Sequence, residues 1–376
     1  MKRVYQICTR CIMDTTDPDI QFDENEVCNH CRGYDEKVKQ RLFRGEAGQK
    51  KINKLVNEIK IKGKNKKYDC IIGVSGGVDS TFVAFKVKEL GLRPLAVHVD
   101  NGWDSELAVE NIKDALKRLD IDLHTYSVEW EEFKDLQLSF LRASVPDAEI
   151  PTDHALMAVL YHVAAKVRVQ FYICGYNITT EGILPTAWSY GHRDWKYIKS
   201  VHKKFGTLKL RSFSHCSLFG FLYYNFVKRI KTIRILNYMT YNKEDAMEVI
   251  KQELGWESYG GKHHESIYTR FLQAYILPRK FNIDKRRAHL SSLICSGQIT
   301  RAEALEEMKH EPYPSEEIAK NDKEYVLEKL GLTEAEFEEI MSLPIKTFRD
   351  YPSNHWLFQI VRKYGSRILM KLRVLT

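Results

Sequence analysis

Residues 70–81 read CIIGVSGGVDST. An apolar run gives way to two adjacent glycines, three hydroxyl residues and one aspartate. The pattern predicts a buried strand over 69–74 and a helix over 78–90 that ends at Gly91. A loop at the carboxyl end of a parallel strand, leading into a helix, offers unpaired N–H groups and the positive end of the helix dipole. Together these make an anion site. Gly76 and Gly77 let the backbone approach phosphate oxygens closely. Ser75, Ser80 and Thr81 can donate hydroxyl hydrogen bonds. Asp79 is the odd member, because a carboxylate beside phosphate is repulsive unless a cation lies between them. Asp79 therefore implies Mg²⁺. The lysine of a GxxxxGK[ST] loop is missing, which sets this loop apart from the usual kinases and GTPases.

Outward from the loop, short apolar strands alternate with helices. Strands are expected at 94–100, 121–128 and 170–175. Helices are expected at 104–119, 130–143 and 152–168. This alternation means an α/β fold with a doubly wound parallel sheet. After 176 the alternation stops: 177–215 reads as loop, and 216–255 and 282–345 read as helical. The organisation expected is a metal-binding module over 1–33, a basic helix and linker over 34–67 and a nucleotide-binding domain over 68–205. A mainly helical acceptor-binding region follows over 206–350, then a basic amphipathic tail over 351–376.

The chain has 376 residues, 44% hydrophobic and 29% charged, an ordinary globular composition with ample core material. No apolar run is long enough to span a bilayer and MKRVYQICTR lacks a signal-peptide core, so a cytoplasmic location is expected. The net charge of +8 suits a polyanionic ligand, either a nucleotide or RNA. The tail after Trp356 carries an apolar stripe with Arg362, Lys363, Arg367, Lys371 and Arg373, the pattern of a helix in peripheral contact with a membrane.

Four of the eight cysteines fall in the first 31 residues, as Cys8-x-x-Cys11 and Cys28-x-x-Cys31. Each pair forms a knuckle presenting two thiolates to one metal, and four thiolates favour tetrahedral Zn²⁺ over an iron–sulfur cluster. A closed four-cysteine site has no open position, so its role is structural. Cys70, Cys174, Cys216 and Cys295 are scattered, and Cys70 and Cys174 lie in apolar strands.

The string SGGVDS resembles the SGGxDS signature of the PP-loop ATP pyrophosphatases, which split ATP between the α and β phosphates. The resemblance implies that an acceptor oxygen is adenylated, pyrophosphate leaves and a nucleophile displaces AMP. It further implies that the strand end His98-Val99-Asp100-Asn101-Gly102 lies along the adenosine; the plainer reading of Asp100 is as part of a helix N-cap region. Gly175-Tyr176-Asn177 resembles the superfamily's Gly-His-Asn loop near the phosphates, with Tyr176 in place of the histidine.

Longer stretches resemble the N-acetyl sugar amidotransferases of surface-polysaccharide (LPS O-antigen) gene clusters. They are CTRCIMDTTDPDIQFDENEVCNHC at the start, EIPTDHAL at 149–156, GYNITTEGILP at 175–185, YGGKHHESIYTRF at 259–271 and LPRKFNIDKRRAHLSSLICSGQITRAEAL at 277–305. This resemblance implies an ATP- and Mg²⁺-dependent reaction in which the acetamido group of a UDP-N-acetyl sugar becomes an acetamidino group. Ammonia would come from a separate glutaminase subunit through a cyclase-like barrel partner, and no nucleic acid is expected. Thiolation of tRNA, also found in the superfamily, is the alternative; the lack of paired catalytic cysteines counts against it. The oligomeric state stays open, a homodimer being one option.

Several residues are candidates for acceptor chemistry. Asp153 and His154 open a helix, where Asp153 reads equally as a ligand or acceptor-orienting group and as an N-cap. Glu181 is placed to bind Mg²⁺ or take a proton from ammonia. Lys262 and His263, in a glycine-rich basic turn, and Arg286, in the run Lys285-Arg286-Arg287, suit phosphate; such runs are also ordinary solvated faces. Trp188 and Tyr190 suit stacking on a base or sugar, or anchoring a loop.

Overall fold

The computed structural model describes residues 4–259 and 265–360. Lys262, His263 and the part of the tail beyond 360 lie outside the described residues. Among the described residues, no helix is long and apolar enough to cross a membrane.

The chain begins with the cysteine knuckles and two helices, α1 (Asn29–Arg41) and α2 (Gly45–Gly63). An alternating segment follows: β1 (Cys70–Gly73), α3 (Val78–Glu89), β2 (Pro94–Asp100), α4 (Glu106–Arg118), β3 (Leu123–Ser127), α5 (Trp130–Arg142), α6 (Ile150–Lys166) and β4 (Phe171–Ile173). Each of these elements matches its sequence expectation to within a few residues. Strand length and apolar run coincide here because both faces of a parallel sheet are covered.

Beyond β4 come short helices α7 (Ile178–Glu181), α8 (Trp195–Phe205) and α9 (Leu218–Leu222), the last continued by a π-helical turn over Tyr223–Val227. Strand β5 (Lys231–Ile233) and helix α10 (Lys243–Leu254) follow. The C-terminal part holds α11 (Ile267–Phe271), α12 (Leu277–Phe281), α13 (Arg286–Ser296), α14 (Arg301–Glu307), α15 (Glu316–Leu330) and α16 (Glu334–Ser342).

The five strands form one sheet in the order β3-β2-β1-β4-β5, with every pair parallel. The α/β class with a doubly wound parallel sheet and a helix-rich C-terminal part is as the sequence reads. The order turns back between β1 and β4, so the loops after these two strands diverge and leave a crevice at their carboxyl ends. Strand alternation divides the core. Cys70, Ile72, Ala96, Phe171 and Ile173 pack with α2, α3, α4 and α10, while Ile71, Leu95 and Val97 pack with α6. Burying each of these Ile, Leu, Val or Phe side chains contributes about 1.5–3 kcal/mol.

Two readings needed correction. Strand β5 lies within a segment read as helical; three residues are too few to show a period of two. The segment 177–215 is not all loop. It contains α7 and α8, and its remainder is tied down by two carboxylates of α5. Asp135 accepts from Thr207 N, Leu208 N and His202 Nε2, and Glu132 from the amides of Arg211, Ser212 and Phe213. The helical segment 218–227 turns an apolar face outward, with Phe219 80% and Val227 66% exposed.

Candidate active site

The loop after β1 is built around Gly76. Its φ of +80° is left-handed, and a Cβ there would lie 2.8 Å from the Tyr259 hydroxyl and 3.0 Å from Ala108 O. Only glycine fits. Gly76 O accepts from Trp256 Nε1 at 2.7 Å and from the Tyr259 hydroxyl at 2.9 Å. These aromatics are set in turn by Asn111 of α4, whose amide exchanges two hydrogen bonds with the Glu257 backbone and donates to Tyr259 Oη. Ser80 Oγ lies 3.3 Å from both Ser75 N and Ser75 Oγ, and donates to Gly77 O. Thr81 is buried, with its hydroxyl against Gly76 O, so it braces the loop from below. Gly77 caps α3 with no side chain of its own, and a Cβ on it would stand 3.2 Å from a Glu265 carboxylate oxygen; the helix dipole at this end favours an anion.

Asp79, on the first turn of α3, meets the loop after β4. Its Oδ1 accepts from Asn177 Nδ2 at 3.1 Å and from the Tyr241 phenol. Burial, then the Asp79 charge, pushes the Tyr241 phenol far above its ordinary range, so it stays a donor. A Cβ on Gly175 would sit 3.0 Å from Asp79 C and Ser80 N. Glycine here lets the two strand-end loops touch backbone to backbone. Asn177 is fully buried and also caps α7 through Thr180 N. Tyr176 is partly exposed, with the Arg234 guanidinium 4.7 Å from its ring centre.

On the other side of β1, His98 is buried, with Nδ1 3.1 Å from Val74 O and Nε2 3.3 Å from an Asp104 oxygen. Burial opposes its charge, but Asp104 outweighs burial and raises its pKa. Asp100 accepts from Gly102 N at 3.0 Å, and Gly102 takes a left-handed φ of +81°. The sequence-derived set Ser75, Gly76, Gly77, Asp79, Ser80, Thr81, His98, Asp100, Gly102, Gly175 and Asn177 thus gathers at the carboxyl ends of β1, β2 and β4.

Beside this crevice lies a recess rich in charge. Asp153 is exposed to solvent by surface area, yet enclosed deeply enough that desolvation is the largest influence on its carboxyl. Desolvation, with the charges of Asp147, Glu149 and Glu181, pushes its pKa up to about 8 against the pull of Lys285. Lys285 has its amine 4.0 Å from a Glu149 oxygen. Burial opposes its charge, but Asp147, Glu149 and Asp153 hold it protonated. Arg193 and Arg234 lie near enough to act on the ionisation of Tyr172 and Cys174. Burial pushes the Cys174 thiol up to about 11.

Four expected site residues are engaged elsewhere. His154 is fully buried; its Nδ1 faces His192 O at 2.7 Å and its Nε2 accepts from Cys216 N. Burial lowers its pKa to about 4, so it is a neutral core group. Arg286 pairs with Asp284 and donates to His310 O, away from the recess. Trp188 is 1% exposed, which excludes stacking on a base. Tyr190 stacks on Phe348 with ring centres 4.0 Å apart and donates to Asp194. Sequence reasoning named Lys285 only within a basic run, and passed over Tyr241, Trp256, Tyr259, Asn111, Asp147, Arg193 and Arg234. Of these, Tyr259, which opens YGGKHHESIYTRF, and Asp147, near EIPTDHAL, carried a local signal.

The four N-terminal cysteines converge. Their sulfurs all lie within 4.8 Å of one another. Neighbouring pairs stand 3.9, 3.7 and 3.7 Å apart, for Cys8–Cys31, Cys11–Cys28 and Cys28–Cys31. A tetrahedron with Zn–S bonds of about 2.3 Å has edges of about 3.8 Å, so the cluster fits that ion. His30 turns away to Asp17, 2.6 Å distant. Cys295, read as scattered, lies 3.8 Å from Cys31 on the flank of the cluster. Arg301 donates to Cys8 O and Cys11 O, and Arg287 donates to Ile12 O and pairs with Asp14. The Mg²⁺ expected at Asp79 has no comparable cluster. Among the described residues no group of three carboxylates stands close enough to hold a metal. Asp79 alone suits an ion that takes its other oxygens from phosphate and water.

Comparison with known proteins places the C-terminal part. Residues 265–364 match the family described as LPS biosynthesis protein WbpG-like, C-terminal domain. The surface-polysaccharide resemblance is borne out in that segment. Among curated proteins, the chain is 31% identical over 131 residues to the probable mitochondrial tRNA-specific 2-thiouridylase 1 of Caenorhabditis elegans, covering 29% of this chain. It is 40% identical over 76 residues to the uncharacterized protein MJ1599 of Methanocaldococcus jannaschii, covering 19% of this chain. The matches span 33% and 27% of these relatives' own lengths. Among solved structures, it is similar to the U34-tRNA thiolase NcsA from Methanococcus maripaludis with its [4Fe-4S] cluster. That match has 15% identity and a TM-score of 0.32, over 82% of this chain and 90% of that one.

Proposed function

We propose that this protein is an ATP-dependent amidotransferase acting on the acetamido group of a nucleotide-activated sugar in surface-polysaccharide synthesis. The observation that carries this reading is the backbone contact between the SGGVDS loop and the Gly175 loop, opening onto a recess with paired acids and bases. The WbpG-like segment supplies Lys285 to that recess, and its description is the support for the polysaccharide setting.

The proposed chemistry needs no side-chain nucleophile. The amide oxygen attacks the α-phosphorus of ATP and pyrophosphate leaves. The loop amides and Mg²⁺ on Asp79 would neutralise charge on the phosphates. Ammonia then adds through its lone pair to the activated carbon. The C–O bond to AMP breaks, and the protons nitrogen sheds pass to a carboxylate such as Asp153 or Glu181. Arg193 and Arg234 replace Arg286 as candidates for the sugar-nucleotide diphosphate. A separate glutaminase and its barrel partner would supply ammonia, in keeping with the family resemblance.

Thiolation of tRNA has the thiouridylase likeness in its favour. Against it, the thiol nearest the recess, Cys174, is buried and held protonated at neutral pH.

The test is an end-product assay. The protein is incubated with ATP, Mg²⁺, ammonium and a panel of UDP-N-acetyl sugars, beside unmodified tRNA with a sulfur donor. AMP and pyrophosphate are followed, with mass spectrometry of each acceptor. Sugar-dependent AMP release with oxygen exchanged for NH is the expected result. AMP release only with tRNA would replace this reading by thiolation.

A further inference from the structure

Asp147 is the least satisfied charge carrier in the described structure. It is 5% exposed, and among the described residues neither carboxylate oxygen has a hydrogen-bond partner of normal geometry. Lys285, the Ser189 hydroxyl and the Glu149 amide lie near enough to favour its charge, but burial outweighs them and its pKa is raised. Buried polar groups in native proteins find partners, so an orphaned carboxyl calls for a ligand.

The surroundings say which kind. Asp147 lines a small cleft together with Trp188, Tyr190, Tyr197 and Phe348. No basic side chain lines it, so an anion gains nothing there. Divalent cations need several oxygen ligands, which aromatic walls do not provide. A small nitrogen cation is different: one carboxylate supplies charge and hydrogen-bond acceptors, and aromatic rings attract what remains. The cleft also adjoins the recess: Asp147 stands two residues before Glu149, whose carboxylate is 4.0 Å from the Lys285 amine.

We propose that Asp147 and its aromatic cleft bind ammonium and pass ammonia to the active-site recess. The inference rests on nitrogen being the nucleophile, as proposed above. One N–H bond of NH₄⁺ breaks and the proton goes to a carboxylate oxygen of Asp147, leaving NH₃ with its lone pair. Neutral ammonia crosses to the recess and adds to the activated carbon. The proton on Asp147 returns to solvent by way of the exposed Asp153. Trp188, read as either a stacking platform or a loop anchor, is a wall of this cleft, and its indole N–H has no partner among the described residues.

The full chain with its metal is titrated with ammonium chloride at constant ionic strength, beside sodium and potassium chloride, and thermal unfolding is followed. Ammonium is expected to raise the unfolding temperature saturably and the metal ions are not. Asp147→Asn should abolish that rise; because it removes an unpaired buried carboxyl, the variant should fold. Asp147→Ser gives the same reading should asparagine not fit. No ammonium-specific rise, an equal rise with potassium, or an unaltered response in both variants would overturn the proposal. In the AMP-release assay, Asp147→Asn should raise KM for ammonium at least about tenfold with KM for ATP unchanged; equal KM for ammonium would also overturn it. Absence of sugar-dependent turnover would defeat the amidotransferase reading, and the unfolding arm would still decide whether ammonium binds.

Discussion

At the residue scale, three side-chain positions carry sharp consequences. Asp79 is held by Asn177 and Tyr241 at the mouth of the loop. Asp79→Asn keeps the shape and removes the charge, so AMP release should fall by about 10²-fold or more with folding intact. A circular-dichroism melt beside the rate assay separates the two effects. Gly76→Ala forces a Cβ against Tyr259 and Ala108 at a left-handed φ. It should cost about 1–3 kcal/mol in a denaturant titration and abolish ATP binding. Asp153 gives a pH signature. Its carboxyl moves from an ordinary 3.8 to about 8, so between these values the folded protein holds a proton that the unfolded chain has lost. Stability from this group is therefore present at low pH and declines as pH rises through that window. Asp153→Asn should flatten the decline and leave the variant more stable than the parent at pH 8. Urea titrations from pH 5 to pH 8 check this, and parallel profiles for the two proteins would count against the assignment.

At the element scale, α13 shows how one basic run serves three ends. Lys285 precedes the helix and reaches the recess, Arg286 locks onto Asp284, and Arg287 turns to Asp14 and Ile12 O. Successive helical positions point about 100° apart, so adjacent charges need not share a partner. Arg301, in α14, holds the Cys8 and Cys11 carbonyls. Arg301→Ala should cost about 1–3 kcal/mol and speed release of the cluster's metal to a chromogenic chelator, because two knuckle carbonyls lose their donor. The strands around the loop were legible because their apolar runs are local: 94–100 is both the expected and the observed span of β2. The loop glycines were legible for the same reason. The clamp on Gly76 was not, since Trp256 and Tyr259 are close to it only in the folded chain. Nor was the recess, whose acids precede α6 or lie in it while its lysine precedes α13. His154 misled because its neighbour Asp153 does face the recess, and one helical step turned the imidazole inward.

At the scale of the whole molecule, the cysteine cluster is not an appendage. Its knuckles share one core with α5, α8, α13 and the C-terminal helices, through Cys8, Cys11, Cys28, Cys31, Phe133, Tyr197 and Ala288. Stripping the metal with a chelator under reducing conditions should therefore lower the unfolding temperature of the entire chain in one transition. A calorimetric scan with a small separate early peak would mean that the cluster stabilises only itself. The same core holds Phe348, and through Ala288 it anchors α13, which Lys285 precedes, so the C-terminal segment shapes both the ammonium cleft and the recess. The central claim is that ATP is spent on an amide oxygen, and its most direct test follows that atom. UDP-N-acetyl sugars carrying ¹⁸O in the acetyl group are turned over with ATP, Mg²⁺ and ammonium, and the AMP is weighed by mass spectrometry. The account predicts that AMP carries the ¹⁸O. AMP formed with the sugar but free of label would show that the oxygen attacking phosphorus came from elsewhere, and would contradict it.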